Sequence, residues 1–396
     1  MSQKIATMIK NAKIYLEDHI IDNGSILMVD GKISSIQPGT ITDFPENTEI
    51  IEAGNFIAIP GFIDSHVHGA NGYDVMDATE KALDVISNSL PKEGVTSFLA
   101  TTITQSVKNI EKALKNVANF NNKPGQAEII GIHLEGPFIN KNRAGAQPVR
   151  HVLSPDLSLF KKWNQLSKRL IKTVTFAPEL DHDGKFISYL RQCGINISAG
   201  HTAANYGEIK RAASLGVNQL THLCNAMNGI HHRDIGAVGA AFLIESLRAE
   251  LIPDGLHISK EMLEIIYKNM GSDRIILITD AMRAKGMEPG EYDIGGQKAI
   301  VQNNRAVLSD GTLAGSILKM RDGAELMLQL EGVRLKDIVK MTAENPAKQI
   351  NIFHRKGSIA VGKDADIVIV NNRLQIQYTF CRGKIAYTSE IHERFI

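Results

Sequence analysis

Histidines with the spacing of metal ligands stand out in the stretch "IPGFIDSHVHG", residues 59–69. His66 and His68 lie two positions apart at the end of an apolar run. Alternate side chains of a β-strand share a face, so both imidazoles are expected on the same side. Two neutral imidazoles gain little from each other, whereas a metal ion would give both a role as ligands. The pair therefore indicates a metal site at the end of a strand.

Five further apolar runs lead into histidines or carboxylates, which can also bind metal ions. These are Glu135 in "HLEGP", His201 in "AGHT", His222 in "THLCNAMNG", His257 in "DGLH" and Asp280 in "ITDAM". Each alone has an ordinary explanation, because a lone histidine is usually a satisfied polar residue and a carboxylate also caps a following helix. Agreement of six strand ends by accident is much less expected. The set predicts one rim that carries metal ligands and catalytic groups.

The elements that must position these side chains are predicted to be strands alternating with helices. From about residue 58 to 354, eight short apolar runs recur, most of them separated by helical periodicity as in "ATEKALDVISNSL", "VKNIEKALKNVANF" and "SKEMLEIIYKNM". This alternation predicts an α/β fold built from βα units. Eight strands in about 300 residues fit a (β/α)8 barrel, in which chemistry lies at the carboxyl ends of the strands. A doubly wound open sheet is the alternative.

Both ends of the chain have a different texture, with short β segments broken by Gly, Asn and Asp. The N-terminal part contains the hairpin signal Val29-Asp30-Gly31-Lys32. We predict one small β domain formed by residues 1–57 and 355–396, and a metal-dependent catalytic barrel spanning residues 58–354.

Composition excludes several classes of function. The 396 residues are 43% hydrophobic and 22% charged, and the formal net charge of +1 argues against a general nucleic-acid or membrane surface. The N-terminus lacks the apolar core of a signal peptide or anchor. Three scattered cysteines do not suggest a disulfide framework, so a reducing cytoplasm is the expected compartment.

The chemistry expected at the rim is hydrolysis of a C–N bond. Glu135, His201 and His222 match a known catalytic set for zinc that leaves a position for water, and the His66/His68 pair would complete a second metal position with Glu135 bridging. A divalent ion makes water more acidic and polarises a carbonyl, and the resulting hydroxide would attack that carbonyl. Asp280 is placed as general base and would return the proton to a leaving amine. One or two ions of zinc, iron, manganese or cobalt would suit these ligands.

Signals for an anionic substrate lie in loops. Arg143 in "NKNRAGAQP" and Arg233 in "HHRDIG" follow barrel strands in Gly-containing loops, where a guanidinium suits a phosphate. An exposed salt bridge is the ordinary alternative for either residue. The loop "LSDGTLAGS", residues 308–316, would let backbone groups approach a ligand.

These motifs together resemble the amidohydrolase superfamily, and within it the deacetylases of N-acetylglucosamine 6-phosphate. The resemblance runs nearly end to end through "PGFIDSHVHG", "HLEGPFIN", "GHT", "THLCNAMN", "DGLH", "ITDAM", "TLAGS", "NPAK" and "KGSIAVGKDADIVIV". It implies a (β/α)8 TIM-type barrel with a small β-sandwich from both termini, usually as a homodimer. It also implies release of acetate from N-acetylglucosamine 6-phosphate to leave glucosamine 6-phosphate.

The resemblance assigns roles residue by residue. Glu135, His201 and His222 match the main metal ligands, His66 and His68 a second-metal pair, and Asp280 the catalytic Asp. The positions that match the sugar-phosphate contacts are Ala146, Gln147, Asn225, Ala226, Arg233, His257, Leu313, Ala314 and Gly315. In dimeric members the counterpart of Arg233 reaches the neighbouring subunit's site. Some members carry His at the position of Gln147. Gln can donate a hydrogen bond but, unlike His, cannot take up a proton at neutral pH, so carbonyl polarisation would depend more on the metal.

Three other functions remain open at this stage. The galactosamine epimer of the substrate differs by the stereochemistry of one hydroxyl, which sequence does not reveal. A cyclic-amide hydrolase or deaminase uses the same barrel, since fold does not fix function. A silent barrel that only binds a sugar phosphate would be expected to have lost ligands, and these positions are intact.

Overall fold

The computed structural model describes residues 6–389. Within that range the strands are β1 (Ala6–Tyr15), β2 (Ile20–Val29), β3 (Lys32–Pro38), β4 (Glu49–Glu52), β5 (Ile57–Pro60), β6 (Phe62–Val67), β7 (Gly69–Ala70), β8 (Tyr73–Asp74), β9 (Val95–Thr102), β10 (Glu128–Glu135), β11 (Ile171–Phe176), β12 (Asn196–Ala199), β13 (Gln219–Leu220), β14 (Arg248–Leu251), β15 (Ile275–Leu277), β16 (Gly290–Ile294), β17 (Gln297–Gln302), β18 (Arg305–Val307), β19 (Ile367–Val370), β20 (Ile376–Cys381) and β21 (Lys384–Thr388).

The helices connect and cover these strands. They are α1 (Glu80–Ser89), α2 (Val107–Asn119), α3 (Leu157–Leu166), α4 (Lys185–Gln192), α5 (Tyr206–Leu215), α6 (Gly236–Leu243), α7 (Lys260–Met270), α8 (Met320–Leu328), α9 (Leu335–Val339) and α10 (Asn345–Gln349), with a π-helical turn (Lys340–Glu344) joining α9 to α10. Short 3-10 turns span Val75–Asp77, Leu90–Glu93, Lys141–Arg143, Val149–His151, Pro178–Leu180 and Ser272–Arg274.

Eight parallel strands form the barrel predicted from the apolar runs. Their order is β6, β9, β10, β11, β12, β13, β14 and β15, each paired in parallel with the next. A parallel bridge between Val67 and Ala281 closes the ring, so the open-sheet alternative was wrong. All positions of β9 are buried, as expected for a strand covered on both faces.

The predicted helices form because apolar residues recur at helical spacing behind a polar cap. In α2 the buried positions are Ile110, Ala113, Leu114 and Val117, which share one face. The Ser106 hydroxyl begins the helix by accepting a hydrogen bond from the Asn109 N–H. These helices bury the outer face of the barrel strands and make their positions rigid.

The termini form a second sheet in the order β21-β20-β19-β5-β1-β2-β3, with β4 beside β1. Its core is shared by apolar side chains from seven strands: Ile9, Ala12, Ile14, Ile26, Met28, Ile33, Ile51, Ala58, Ile367, Ile369, Tyr378 and Phe380. The predicted hairpin is confirmed, because Val29 pairs with Lys32 while Asp30 and Gly31 have φ of 50° and 81°.

The division into two domains stays a prediction, and one boundary strand bears on it. Strand β5 pairs with β1 and β19 of the terminal sheet. The chain therefore enters the barrel after Gly61, slightly later than the predicted position 58. Residues 1–5 and 390–396 of the predicted β domain lie outside the described residues.

A small three-stranded sheet, β16-β17-β18, follows the last barrel strand and was not predicted. Its residues Ile294 and Ala299 pack with Ile103, Met282 and Ala314 above the barrel. The pairs Gly295-Gly296 and Asn303-Asn304 form its turns, and all four have positive φ. Those turn pairs were the available sequence signal. No helix in the 6–389 range has the length and apolar character needed to cross a membrane.

Candidate metal centre and active site

The side chains predicted at the strand ends meet at one end of the barrel. Glu135 is the last residue of β10, and His66 lies within β6. His201, His222 and Asp280 follow β12, β13 and β15 in left-handed conformations, with φ of 48°, 32° and 49°. Non-glycine residues adopt this region at a cost and concentrate at functional sites. The backbone thus turns sharply where these side chains enter the site.

The first ligand group has the predicted composition of two His and one Glu. The Glu135 Oε1 atom lies 3.2 Å from His201 Nε2 and 3.1 Å from His222 Nε2, and the two nitrogens are 3.2 Å apart. His201 Nδ1 donates to the backbone carbonyl of Arg143 over 3.0 Å. A neutral His201 therefore presents an Nε2 lone pair to the site, as metal ligation requires.

The second group places His66 and His68 between two carboxylates. His68 Nε2 lies 3.2 Å from Asp280 Oδ1 and 3.4 Å from Glu135 Oε2. His66 Nε2 lies 3.4 Å from both Asp280 Oδ1 and Glu135 Oε1. Glu135 thus contacts both groups, which is the arrangement expected of a bridging ligand.

The shifted pKa values at the site indicate that its buried carboxylates favour a neighbouring positive charge. Burial opposes ionisation, yet His66 and the neighbouring histidines hold the pKa of Glu135 well below its ordinary value. Against the same effect of burial, His66 and His68 lower the pKa of Asp280 to about 2. Conversely, although burial disfavours its charge, hydrogen bonding to Asp280 and Glu135 raises the pKa of His68 to about 9. These carboxylates stabilise positive charge between them.

The donor set fits a divalent ion in place of that imidazolium charge. Within residues 6–389, the ion pairs of Glu135 and Asp280 are made with histidines and not with Lys or Arg. The His66 Nε2 atom is buried and, in that same range, has no hydrogen-bond partner. A buried polar atom without a partner is costly, and a bound cation would satisfy it.

Gln147 lies against the central carboxylate. Its Nε2 donates to Glu135 Oε2 over 2.6 Å, and the Thr104 N–H donates to its Oε1 over 2.7 Å. These two contacts fix the orientation of the amide. Gln147 therefore holds Glu135 in place while also lining the cavity.

A cavity of about 280 Å³ opens above these groups. The predicted residues that line it are His68, Glu135, Ala146, Gln147, His201, His222, Asn225, Ala226, His257, Asp280, Leu313 and Gly315. Ile103, Gly145, Ile294 and Thr312 also line it and were missed. Gly145 and Thr312 belong to loops already singled out in the sequence, whereas Ile103 and Ile294 carry no signal beyond their apolar character.

Four predicted site residues lie outside the cavity wall. His66 is buried beside Glu135, and Ala314 is buried in the loop whose neighbours line the wall. The Arg143 guanidinium donates to Asn228 Oδ1 over 2.5 Å. Arg233 is exposed, and its Nη1 donates to His232 Nε2 over 2.7 Å. The described residues that line the cavity include no Lys or Arg.

Comparisons with known proteins agree with this geometry. The profile of the amidohydrolase family matches residues 57–386. Over 387 residues the chain is 45% identical to the N-acetylglucosamine-6-phosphate deacetylase of Bacillus subtilis (strain 168), covering 97% of this chain and 98% of the relative. It is 30% identical to the N-acetylgalactosamine-6-phosphate deacetylase of Escherichia coli O157:H7, covering 96% and 99%. The crystal structure of N-acetylglucosamine-6-phosphate deacetylase from Thermotoga maritima is similar with a TM-score of 0.86 at 29% identity, covering 96% and 100%.

Proposed function

This chain belongs to the amidohydrolase family, and we propose that it hydrolyses N-acetylglucosamine 6-phosphate to glucosamine 6-phosphate and acetate. One observation carries the proposal: Glu135, His201 and His222 converge beside Asp280 on the wall of one cavity. The chain also shares 45% identity, over nearly its whole length, with a relative named for this reaction.

We infer the metal ligands from the two groups of side chains. Glu135, His201 and His222 would hold one divalent ion. His66 and His68, each 3.4 Å from a Glu135 oxygen, would hold a second together with Glu135. Bound there, zinc, iron, manganese or cobalt supplies a Lewis acid for the carbonyl and makes water more acidic. The two histidines with fixed neighbours, His66 and His201, present Nε2 to the site.

Asp280 performs the proton transfers in this proposal. Although burial opposes ionisation, positive charge beside Asp280 holds its pKa low, so the carboxylate is ionised at neutral pH and can accept a proton from the attacking water. The new C–O bond forms at the carbonyl carbon as its C=O π bond opens. Asp280 then gives its proton to the amide nitrogen as the C–N bond breaks, so the nitrogen leaves as the amino group of the sugar while the C=O bond re-forms in acetate.

The sugar phosphate would lie along the cavity wall. We assign its contacts to the wall residues Ala146, Gln147, Asn225, Ala226, His257, Leu313 and Gly315, and to Ala314, which is buried between the last two. Arg and Lys are common phosphate-binding side chains, and the described wall residues include neither. Arg143, in the 3-10 turn after β10, and above all the exposed Arg233 are the candidates. We infer a homodimer in which Arg233 of each subunit reaches the other's cavity.

The cellular setting follows from the cysteines and the substrate. Cys193, Cys224 and Cys381 are all free. We infer a reducing, cytoplasmic location, where phosphorylated sugars are retained, and neither a nucleic-acid nor a membrane partner.

Acetate release tests the function. Purified protein is assayed with N-acetylglucosamine 6-phosphate, its unphosphorylated parent and the galactosamine epimer, before chelation, after chelation and after metal return. We expect chelator-sensitive turnover that favours the phosphorylated glucosamine. Faster turnover of the galactosamine epimer would make that epimer the assigned substrate. The higher identity to the glucosamine relative argues against this outcome. No turnover by metal-replete protein would overturn the proposal in favour of a silent sugar-phosphate barrel.

A further inference from the structure

A hydrogen-bonded series of polar side chains runs through the barrel interior beneath the candidate metal centre. Glu250, on β14, lies at its upper end with Oε2 at 3.0 Å from His66 Nδ1. Gln219 Nε2 donates to the other oxygen of Glu250 over 2.8 Å. The Glu250 and His66 side chains are both fully buried. Neither Glu250 nor Gln219 was singled out in the sequence, because both lie within the short runs that form β14 and β13 and not at their carboxyl ends.

The next hydrogen bonds of this series all donate in the direction of Glu250. Asn196 Nδ2 donates to Gln219 Oε1 over 3.0 Å, and Gln349 Nε2 donates to Asn196 Oδ1 over 2.6 Å. Arg248 Nη1 ends the series by donating to Gln349 Oε1 over 2.7 Å. Every amide therefore turns its NH2 towards Glu250 and its carbonyl towards Arg248.

This order determines which atoms carry protons. Arg248 only donates, so Gln349 must accept through its carbonyl oxygen and donate through its NH2 group. The same orientation then follows for the amides of Asn196 and Gln219. Glu250 then receives donors on both oxygens, one from Gln219 and one from His66. A carboxylate accepts only, so His66 must carry a proton on Nδ1. Its Nε2, which has no partner among the described residues, is left as the lone pair that faces Glu135 and Asp280.

We propose that Glu250 is a positioning residue that holds His66 in the Nδ1–H form and thereby makes Nε2 a ligand of the second metal position. The inference rests on the proposed role of His66 as a ligand. The metal does not touch Glu250 in this arrangement. Outer carboxylates that orient a ligating histidine commonly change metal affinity by about 10–100-fold.

The competing interpretation is a separate buried metal site formed by His66, His133 and Glu250, whose ligand atoms lie within 4.8 Å of one another. Hydrogen bonds argue against it. His133 Nδ1 contacts the Ser65 carbonyl oxygen at 3.1 Å, and its Nε2 contacts Thr175 Oγ1 at 2.7 Å. Both ring nitrogens are thus already used, which leaves His133 as a residue of the barrel interior.

Metal stoichiometry in Glu250→Gln tests the proposal. Apo wild-type and variant proteins are equilibrated with Zn²⁺ alone at buffered concentrations, and bound zinc per chain is measured by mass spectrometry of the metal. We expect two ions for wild type. For the variant we expect about 10–100-fold weaker binding of one ion and unchanged binding of the other.

The control is Glu128→Gln, which also removes a carboxylate charge from a barrel strand, at a partly buried position. Glu128 pairs with Arg355 and Lys356 at the start of β10 and contacts none of the metal histidines. It should lower the melting temperature and leave both zinc affinities unchanged. A loss of zinc from the control as large as that from Glu250→Gln would reduce the effect to general destabilisation and overturn the proposal.

Three other outcomes separate this proposal from the proposed function. Two ions of unchanged affinity in Glu250→Gln would overturn the role of Glu250 alone. One ion in wild type would remove His66 as a ligand and the role of Glu250 with it, but would leave single-ion deacetylation intact. Two ions, weakened in the variant, in a protein without any acetate release would support Glu250 and sink the deacetylase assignment.

A second measurement needs no Glu250 variant and remains decisive if that variant does not fold. Zinc-loaded wild type labelled with ¹⁵N-histidine reports which imidazole nitrogen carries the proton, and His66→Asn assigns the resonance by its loss. We expect the proton of His66 on Nδ1 and the zinc-shifted signal on Nε2. A proton on Nε2 would overturn the proposal.

Discussion

The backbone N–H of Asp280 donates to the carbonyl oxygen of His66 over 2.8 Å, which joins the end of the barrel to its beginning. One residue further on, Ala281 bridges to Val67, and its carbonyl oxygen accepts from the N–H of His68 over 2.9 Å. Closure of the barrel therefore sets the distance between the Asp280 carboxylate and both imidazoles. A side chain whose backbone is bonded to a strand is more rigidly positioned than one on a free loop.

The first prediction concerns that carboxylate. Asp280→Asn should lower kcat by about 10²–10⁴-fold, because the amide cannot accept the proton of the attacking water. Zinc bound by Glu135, His201 and His222 should be retained, since their contacts do not pass through Asp280. The measurement is acetate release together with metal content.

Asp18→Asn is the control for that variant, because Asp18 is exposed and pairs only locally with His19. It should behave as wild type. An unchanged kcat in Asp280→Asn would remove Asp280 from the mechanism, and loss of all metal would assign it to ligation instead.

The second prediction concerns His66 of the His66/His68 pair. His66→Asn should reduce bound metal from two ions per chain to one, because Nε2 faces both carboxylates of the second position. The first ion should remain. Metal analysis after equilibration measures this, with His19→Asn as an exposed histidine control. Two ions in both variants would mean that the His66 imidazole has only a structural role.

Much of the site was predictable because strand ends carry a simple signal. Each of the eight apolar runs became a barrel strand, and parallel strands bring their carboxyl ends to one rim. The polar residues that ended those runs, such as Glu135 and His222, therefore met in space. Their left-handed backbone, as at His222 and Asp280, was not visible, because such conformations depend on the tertiary contacts that compensate their cost.

Residues inside the strands were harder to interpret. Glu250 and Gln219 lie within apolar runs, and their role depends on which strands become neighbours. The direction of the Arg143 side chain could not be predicted from sequence either, because its hydrogen-bond partner Asn228 lies far away along the chain. Sequence patterns predict which face a residue occupies, whereas hydrogen-bond partners across strands follow only from the closed barrel.

The third prediction concerns stability against acid at the junction of the barrel and the terminal sheet. Asp364 contacts Lys32, Arg355 and Lys356. Burial opposes its ionisation, but Lys356 and Lys32 outweigh it and lower the pKa of Asp364 from 3.8 to about 2. The folded state therefore binds this proton less readily than the unfolded state. The stabilising contribution is full well above pH 3.8 and is lost as pH falls towards 2.

Chemical denaturation at several pH values measures this contribution. Asp364→Asn should have a lower free energy of unfolding than wild type at pH 7, and the difference should shrink to about half near pH 3. The control is Asp22→Asn at an exposed pair with Lys13, which should show almost no difference at any pH. A gap between wild type and Asp364→Asn that stays constant down to pH 3 would contradict the assigned cause.

The last prediction concerns Arg233, whose exposed guanidinium lies outside the cavity wall of its own chain. Arg233→Ala should raise KM for the phosphorylated substrate far more than for the unphosphorylated sugar, because only the former offers a phosphate to bind. The exposed Arg373→Ala is the control and should leave both KM values unchanged. Equal effects of Arg233→Ala on both substrates would show that Arg233 does not recognise phosphate.

Mixing subunits decides whose cavity Arg233 serves. If it crosses to the partner, a dimer of one Arg233→Ala subunit and one Asp280→Asn subunit contains one complete site, made from Asp280 of the first and Arg233 of the second. Unfolding and refolding the two variants together should then restore about a quarter of wild-type activity, from statistical pairing of subunits. If Arg233 serves its own cavity, every site in the mixture lacks one group, so at substrate concentrations well below the KM of Arg233→Ala no activity returns. Arg373→Ala mixed with Asp280→Asn calibrates the recovery of activity on refolding, because half of its sites should be active under either arrangement.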